Sequence, residues 1–270
     1  MTASPQTDFA RRYGPWSLVA GGSEGLGASL AAQAATRGLD LVLVARSRQR
    51  LDETARNLRD QHGCQVRTIA ADLTSRQAVA DLFQQTADLE IGLLLCNAAL
   101  APIGPFLEQD AEIQDQTVAL NCLATQAMVH HYGNEMVARR RGGILLMSSM
   151  ASFQGTALVA HYAATKAYLR VLAEGLWQEL RPMGVDVLAS CPGPIDTPAF
   201  RRTKPHLPLW LLPRPASPDL VARQTLDALG RGPVVIPQAT ARLTARITRL
   251  LPGRLQRHMV SAGTKAMYNS

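Results

Sequence analysis

Short apolar runs alternate along this chain with longer amphipathic stretches. The runs fall at 16–20, 39–45, 65–71, 91–96, 143–148, 185–190 and 233–236. Each has the length of a strand, and most are apolar almost throughout, as expected when both faces of a sheet are covered. Between them, helical spacing of apolar positions predicts helices at 28–37, 49–61, 76–86, 113–139 and 160–181, with another beginning near Ser217. Strand followed by helix, repeated to the end, predicts an α/β doubly wound parallel sheet of about seven strands with helices on both faces. Its ligand cleft should lie at the carboxyl ends of the strands.

Length and composition restrict this picture to one principal domain. In 270 residues, 47% hydrophobic and 18% charged, there is apolar material for one large core. The expected division is an extension at 1–13, a dinucleotide-binding catalytic domain at 14–238 and a basic helical tail at 239–270. Cys64, Cys96, Cys122 and Cys191 have no metal-binding spacing, and buried free thiols in a reducing compartment are expected; no metal is. The first residues contain no apolar signal-like segment, and no run reaches the length of a bilayer span, so the expected location is cytoplasmic. Charge is uneven: the net +7 resides after Asp227, where seven basic residues and no acid occur.

Candidate chemistry sits at the predicted strand ends. Gly21, Ser23, Glu24, Gly25, Leu26 and Gly27 join the first strand to the first helix, and such a glycine turn can bring backbone close to a pyrophosphate at a helix N-terminus. The same turn could also be tight and empty of ligand. The second strand ends in Arg46 and Ser47, with no acid where one would hold ribose hydroxyls, so a 2′-phosphate and hence NADP suit it better; a solvated arginine is the alternative. Asp72 and Leu73 follow the third strand, where Asp72 could meet an adenine edge or cap the next helix. Asn97 and Ala98 follow the fourth. Asn121 falls inside the stretch 113–139 and needs a specific partner if it faces the core. Tyr162 and Lys166, one turn apart, share a helix face, so the ammonium is expected to draw the phenol toward ionisation, with Ser149 at the adjoining strand end.

In this order and spacing these features resemble the short-chain dehydrogenase/reductase family across residues 14–240, with its Rossmann-type fold. The glycine motif matches Ala20-Gly21 through Gly25 and Gly27, the second motif Cys96-Asn97-Ala98-Ala99, and the Pro-Gly motif Pro192-Gly193, with Ile195 and Thr197 beyond it near the cofactor. Ala20, Cys96 and Ala99 depart from the family's usual residues, which puts cofactor affinity in question rather than chemistry. The resemblance implies a catalytic set of Asn121, Ser149, Tyr162 and Lys166, the last two also touching the cofactor. It implies hydride transfer between a nicotinamide and a ketone or secondary alcohol, with Asn121 positioning a water. A looser likeness points to the 17β-hydroxysteroid dehydrogenase and very-long-chain 3-oxoacyl-CoA reductase branch. A non-catalytic NADP-binding scaffold or redox sensor is the alternative.

Three further expectations concern partners. The apolar, proline-punctuated stretch 205–213 suggests a lid over a bulky apolar substrate, or else a packing or subunit contact. Surplus apolar positions in 113–139 and 160–181, together with the family likeness, suggest a homodimer or homotetramer. In the tail, Leu243, Ile247, Leu250 and Leu251 form one helix face and Arg242, Arg246 and Arg249 the adjacent one. That helix could fold back over the cleft or a partner subunit, or it could lie on an anionic membrane; nucleic acid is disfavoured because no aromatic residue is available to stack bases.

Overall fold

The computed structural model describes residues 7–206 and 215–268, apart from the side chain of Arg249. The lid core at 207–213 therefore lies outside the described residues, as does the side chain of Arg249 on the basic face.

The chain begins with α1 (Asp8–Tyr13), β1 (Trp16–Ala20), α2 (Gly25–Thr36), β2 (Asp40–Ala45), α3 (Arg48–His62), β3 (Val66–Ala70), α4 (Arg76–Gln85) and β4 (Ile91–Cys96). It continues through α5 (Ala111–Val118), α6 (Thr125–Ala138), β5 (Gly142–Met147), α7 (Ala160–Leu180), β6 (Val185–Ser190), α8 (Pro198–Arg202) and α9 (Pro218–Ala228). β7 (Val234–Val235), α10 (Ala239–Arg249) and α11 (Gly253–Tyr268) complete it. The seven strands form one sheet in the order β3-β2-β1-β4-β5-β6-β7, and every pairing is parallel. The order reverses direction between β1 and β4, which opens a crevice where loops from the two halves diverge.

The alternation of side chains along each strand produces two cores. Val19, Leu41, Leu43, Leu93, Leu95 and Leu145 pack on one face against Leu30 of α2, Leu51 of α3 and Val221 of α9. Their sequence neighbours Leu18, Val42, Val44, Leu94, Ile144 and Leu146 pack on the other against Leu82, Met128 and Leu169 of α4, α6 and α7. This double coverage explains why the strands read as continuous apolar runs.

Three elements differ from what the sequence pattern suggests. The stretch 113–139 is not one helix, because a π-helical turn at Ala119–Ala124 separates α5 from α6 and carries the fully buried Asn121. Within the expected extension at 1–13, the described residues include α1, which sends Tyr13 into the core, where its hydroxyl donates to Asp186 at 2.7 Å, and Arg12 pairs with the same carboxylate at 2.6 Å. The tail is two helices. α10 packs the buried Ala241 toward the loop at Gly193, and α11 returns across the mouth of the crevice.

Candidate active site

The carboxyl ends of the strands enclose a cleft of about 2060 Å³. Every residue singled out above as catalytic or cofactor-binding lines it, except Gly27 and Asn121, which stand directly behind.

At the β1–α2 turn, φ is +81° at Gly21 and +56° at Gly25, the left-handed region that glycine tolerates. A Cβ on Gly21 would lie 2.9 Å from the backbone of Ala98, and one on Gly27 would lie 1.8 Å from the carbonyl oxygen of Gly21. The turn is thus compressed between β1 and the loop after β4. Asn97 locks it, donating from Nδ2 to that carbonyl at 3.1 Å, while the Ala98 amide bonds the Ala20 carbonyl at 2.8 Å. Glu24 precedes α2 in the N-cap position, yet its side chain makes no capping bond, so the first N–H groups of α2 face the cleft without a protein acceptor from that side chain.

The neighbouring strand ends contribute recognition groups. Arg46 is exposed on the cleft wall and makes no ion pair among the described residues, while Ser47 caps α3. Asp72 accepts from the amide and hydroxyl of Thr74 at 3.0 and 2.9 Å, an Asx turn that shapes the loop; Ser75, not Asp72, caps α4. Across the cleft, Pro192 and Gly193 are held by Gln238, whose side chain accepts from the Gly193 amide at 2.5 Å and donates to the Pro194 carbonyl at 3.0 Å. Thr197 caps α8.

The reacting groups converge where β5 meets α7. Lys166 is buried, donating from Nζ to the Met147 carbonyl at 2.7 Å, with Nζ 5.6 Å from the centre of the Tyr162 ring. Burial pushes the ammonium down to about 8. Burial likewise pushes the Tyr162 phenol up to about 12, with a hydrogen bond to Ser149 pulling the other way. Burial is thus the largest effect on the phenol, and it acts in the direction opposite to the one the helix spacing suggests. Asn121 is held by three bonds. Its amide donates to the Leu100 carbonyl at 2.9 Å and to Thr165 Oγ1 at 3.0 Å, and its oxygen accepts from the Leu100 amide at 2.9 Å. The side chain braces the loop after β4 against α7 and is fully shielded from solvent.

A sequence model of the short-chain dehydrogenases matches residues 15–207, which contain all of these groups. The chain belongs to this family. It is an oxidoreductase acting on CH–OH groups, and its relatives agree. A 7β-hydroxysteroid dehydrogenase from Clostridium sardiniense is 31% identical over 201 residues, 74% of this chain and 77% of that one. A very-long-chain 3-oxoacyl-CoA reductase from Phaeosphaeria nodorum is 31% identical over 225 residues, 81% of this chain but only 64% of that longer protein. Among solved structures, a short-chain dehydrogenase from Sphingobium yanoikuyae in complex with NADPH is similar at TM-score 0.77 and 33% identity, covering 87% of this chain and 93% of that one.

Family members bind NAD(P), and the residues here fit such a group: a glycine turn with no room for side chains, a helix N-terminus that the Glu24 side chain does not cap, and Arg46, which makes no ion pair among the described residues. Several contributors escaped the sequence reading. Arg50 and Arg202 both bond Glu24 at the cleft edge, and Gln238 braces the Pro-Gly loop. On α11, Val260, Thr264, Met267 and Tyr268 line the mouth, stapled by Thr264 Oγ1 to Thr156 Oγ1 at 2.9 Å and by the His206 amide to the Met267 carbonyl at 2.9 Å. Arg50 lies in the first turn of α3, four residues after Arg46, which is a readable signal; the long-range contacts of Gln238 and α11 have none. Among the described residues no helix is long and apolar enough to cross a membrane, and no cluster suited to a metal occurs.

Proposed function

We propose that this protein interconverts a ketone and a secondary alcohol on a bulky apolar substrate, steroid-like or 3-oxoacyl, with NADP(H) in preference to NAD(H). The observation carrying the substrate class is the cleft: about 2060 Å³, with Met150, Phe153, Val159, Val260 and Met267 among the residues that line it beside Tyr162. Such a cleft suits a large apolar body with one carbonyl delivered to the polar end. The names of the relatives, a hydroxysteroid dehydrogenase and a long-chain acyl reductase, support the same class. Arg46, with no acid beside it, supports NADP through charge-assisted contact with a 2′-phosphate.

A bound nicotinamide supplies or accepts the hydride at the carbonyl carbon. Tyr162, whose phenol burial keeps protonated, gives its proton to the developing alkoxide. Ser149 orients the carbonyl oxygen beside that phenol. Lys166, fixed by Met147, would hold the ribose hydroxyls. Asn121 keeps the loop after β4 and α7 in register.

Outside the cleft, Leu123, Tyr168 and Val171 leave an apolar face exposed on the π-helical turn and α7, which supports a two-fold homo-oligomer. At α10, Leu243 and Leu250 are 60% and 86% exposed and Ile247, on the cleft rim, 54%, and the tail lacks acids; these support reversible contact with an anionic lipid surface.

A panel of ketones and alcohols, from small polar ketones to steroids and 3-oxoacyl thioesters, tests the reading with NADPH and NADP followed by absorbance. Turnover of the bulky members, lost by about a hundredfold or more in Tyr162→Phe, is the expected result. Turnover confined to small polar ketones would overturn the substrate class.

A further inference from the structure

Glu24 occupies a place that the reaction described above does not use. It stands at the N-terminus of α2, where an acid ordinarily caps the helix, but its carboxylate turns away. One oxygen takes Arg202 of α8 at 2.6 Å, and the other takes Arg50 of α3 at 3.2 Å. The two arginines hold the carboxyl below its ordinary range, Arg202 foremost, so it is charged at neutral pH.

The position of α8 gives this pair its consequence. The glycine turn forms one wall of the cleft, and the segment from Pro192 through α8 forms the opposite one. Thr197 closes on the turn so tightly that its side chain would stand 3.2 Å from a Cβ on Gly25. Arg202, at the far end of the same five-residue helix, is bonded across to the turn by Glu24. A dinucleotide between these walls can leave only when they separate, and the Arg202–Glu24 pair resists that separation. Arg201, its sequence neighbour, makes its own bidentate pair with Asp196 on the same wall and does not bridge the walls.

We propose that Glu24 is a positioning residue that clasps α8 over the glycine turn through Arg202 and thereby sets the rate at which the nicotinamide cofactor is released. The proposal rests on the reading of this cleft as a cofactor site. It separates from a simple charge effect by sign. A carboxylate beside bound phosphates repels them, so losing it for electrostatic reasons alone slows release. Losing a clasp speeds it.

The test is stopped-flow displacement of NADPH from the full-length protein, read by nucleotide fluorescence, with folding checked by the thermal midpoint. Glu24→Gln and Arg202→Met are each expected to raise the dissociation rate about two- to fivefold, the scale of one partly exposed ion pair, and the double variant no further. The Michaelis constant for the cofactor should rise while kcat holds or increases, a split that general damage to the fold does not produce. Arg201→Met should leave the release rate within about twofold of native. Slower release in Glu24→Gln, additive effects in the double variant, or an equal effect of Arg201→Met would each overturn the clasp. If the native protein binds neither NADPH nor NADH, the reading of the cleft itself fails and the clasp falls with it.

Discussion

The ammonium of Lys166 lies 2.7 Å from the carbonyl oxygen of Met147 and 5.6 Å from the centre of the Tyr162 ring. The lysine is thus tethered to the end of β5 and buried there, a costly place for a charge. Its pKa is about 8 in the fold against an ordinary 10.5, so between those pH values the unfolded chain binds more protons and raising the pH favours folding. Replacement by Met removes this dependence. Relative to the native protein, Lys166→Met should show a stability advantage at pH 7 that shrinks by up to about 3 kcal/mol by pH 10, read from urea midpoints, while activity is lost. An advantage independent of pH would contradict the buried cation.

Arg46 is exposed on the cleft wall and makes no ion pair among the described residues. Loss of one charge-assisted contact to phosphate is worth about 1.5–3 kcal/mol, so Arg46→Asp should reduce the preference for NADPH over NADH by about ten- to a hundredfold or reverse it. The ratio of kcat/KM values for the two cofactors measures this, and equal values in the native enzyme would remove the basis for the choice.

Asn121 is a brace with three hydrogen bonds and no solvent exposure. Asn121→Ala orphans the amide and carbonyl of Leu100 and should destabilise the protein by about 2–4 kcal/mol in denaturant unfolding. Thr165→Val removes the bond to α7 and leaves the two to Leu100, so it should cost about 1 kcal/mol. Similar costs for the two variants would show that the two bonds to Leu100 add little to stability.

The outward apolar ridge of α10 carries the surface prediction. The full-length protein should co-sediment with anionic vesicles at low ionic strength, release with added salt, and fail to bind when Leu243 and Ile247 are both changed to Glu. No binding at low salt would assign the ridge to contacts between copies of the chain.

The sheet and most of the cleft were legible because their signals are local. Buried parallel strands such as 91–96 and 185–190 are unbroken apolar runs, and the glycines of the β1–α2 turn have no side chains because Gly21, Ala98 and Asn97 leave no space for them. Tyr162 and Lys166 declared themselves by helical spacing. Other features depended on contacts distant in sequence. The π-helical turn at Asn121 adds a residue without breaking the apolar periodicity, so 113–139 reads as one helix. The hexapeptide DFARRY of α1 is mostly polar, and only its pairing with Asp186, far along the chain, fixes Tyr13 in the core. In α10 the periodicity was readable but not its orientation: the small Ala241 packs inward while the leucines face out. The balance between desolvation and charge at Tyr162 also lies beyond a spacing rule, because it depends on how much water the surrounding fold excludes.

The two ends of this chain are not equivalent for anyone attaching something to them. α1 is anchored beside Asp186, at the opening residues of β6 and so on the side of the sheet away from the cleft, whereas α11 delivers Met267 and Tyr268 to the cleft mouth. An affinity tag or fluorescent fusion belongs on the amino end. Placed just after α11, it would hang at the cleft mouth, and a preparation made that way is expected to report the obstruction as poor affinity.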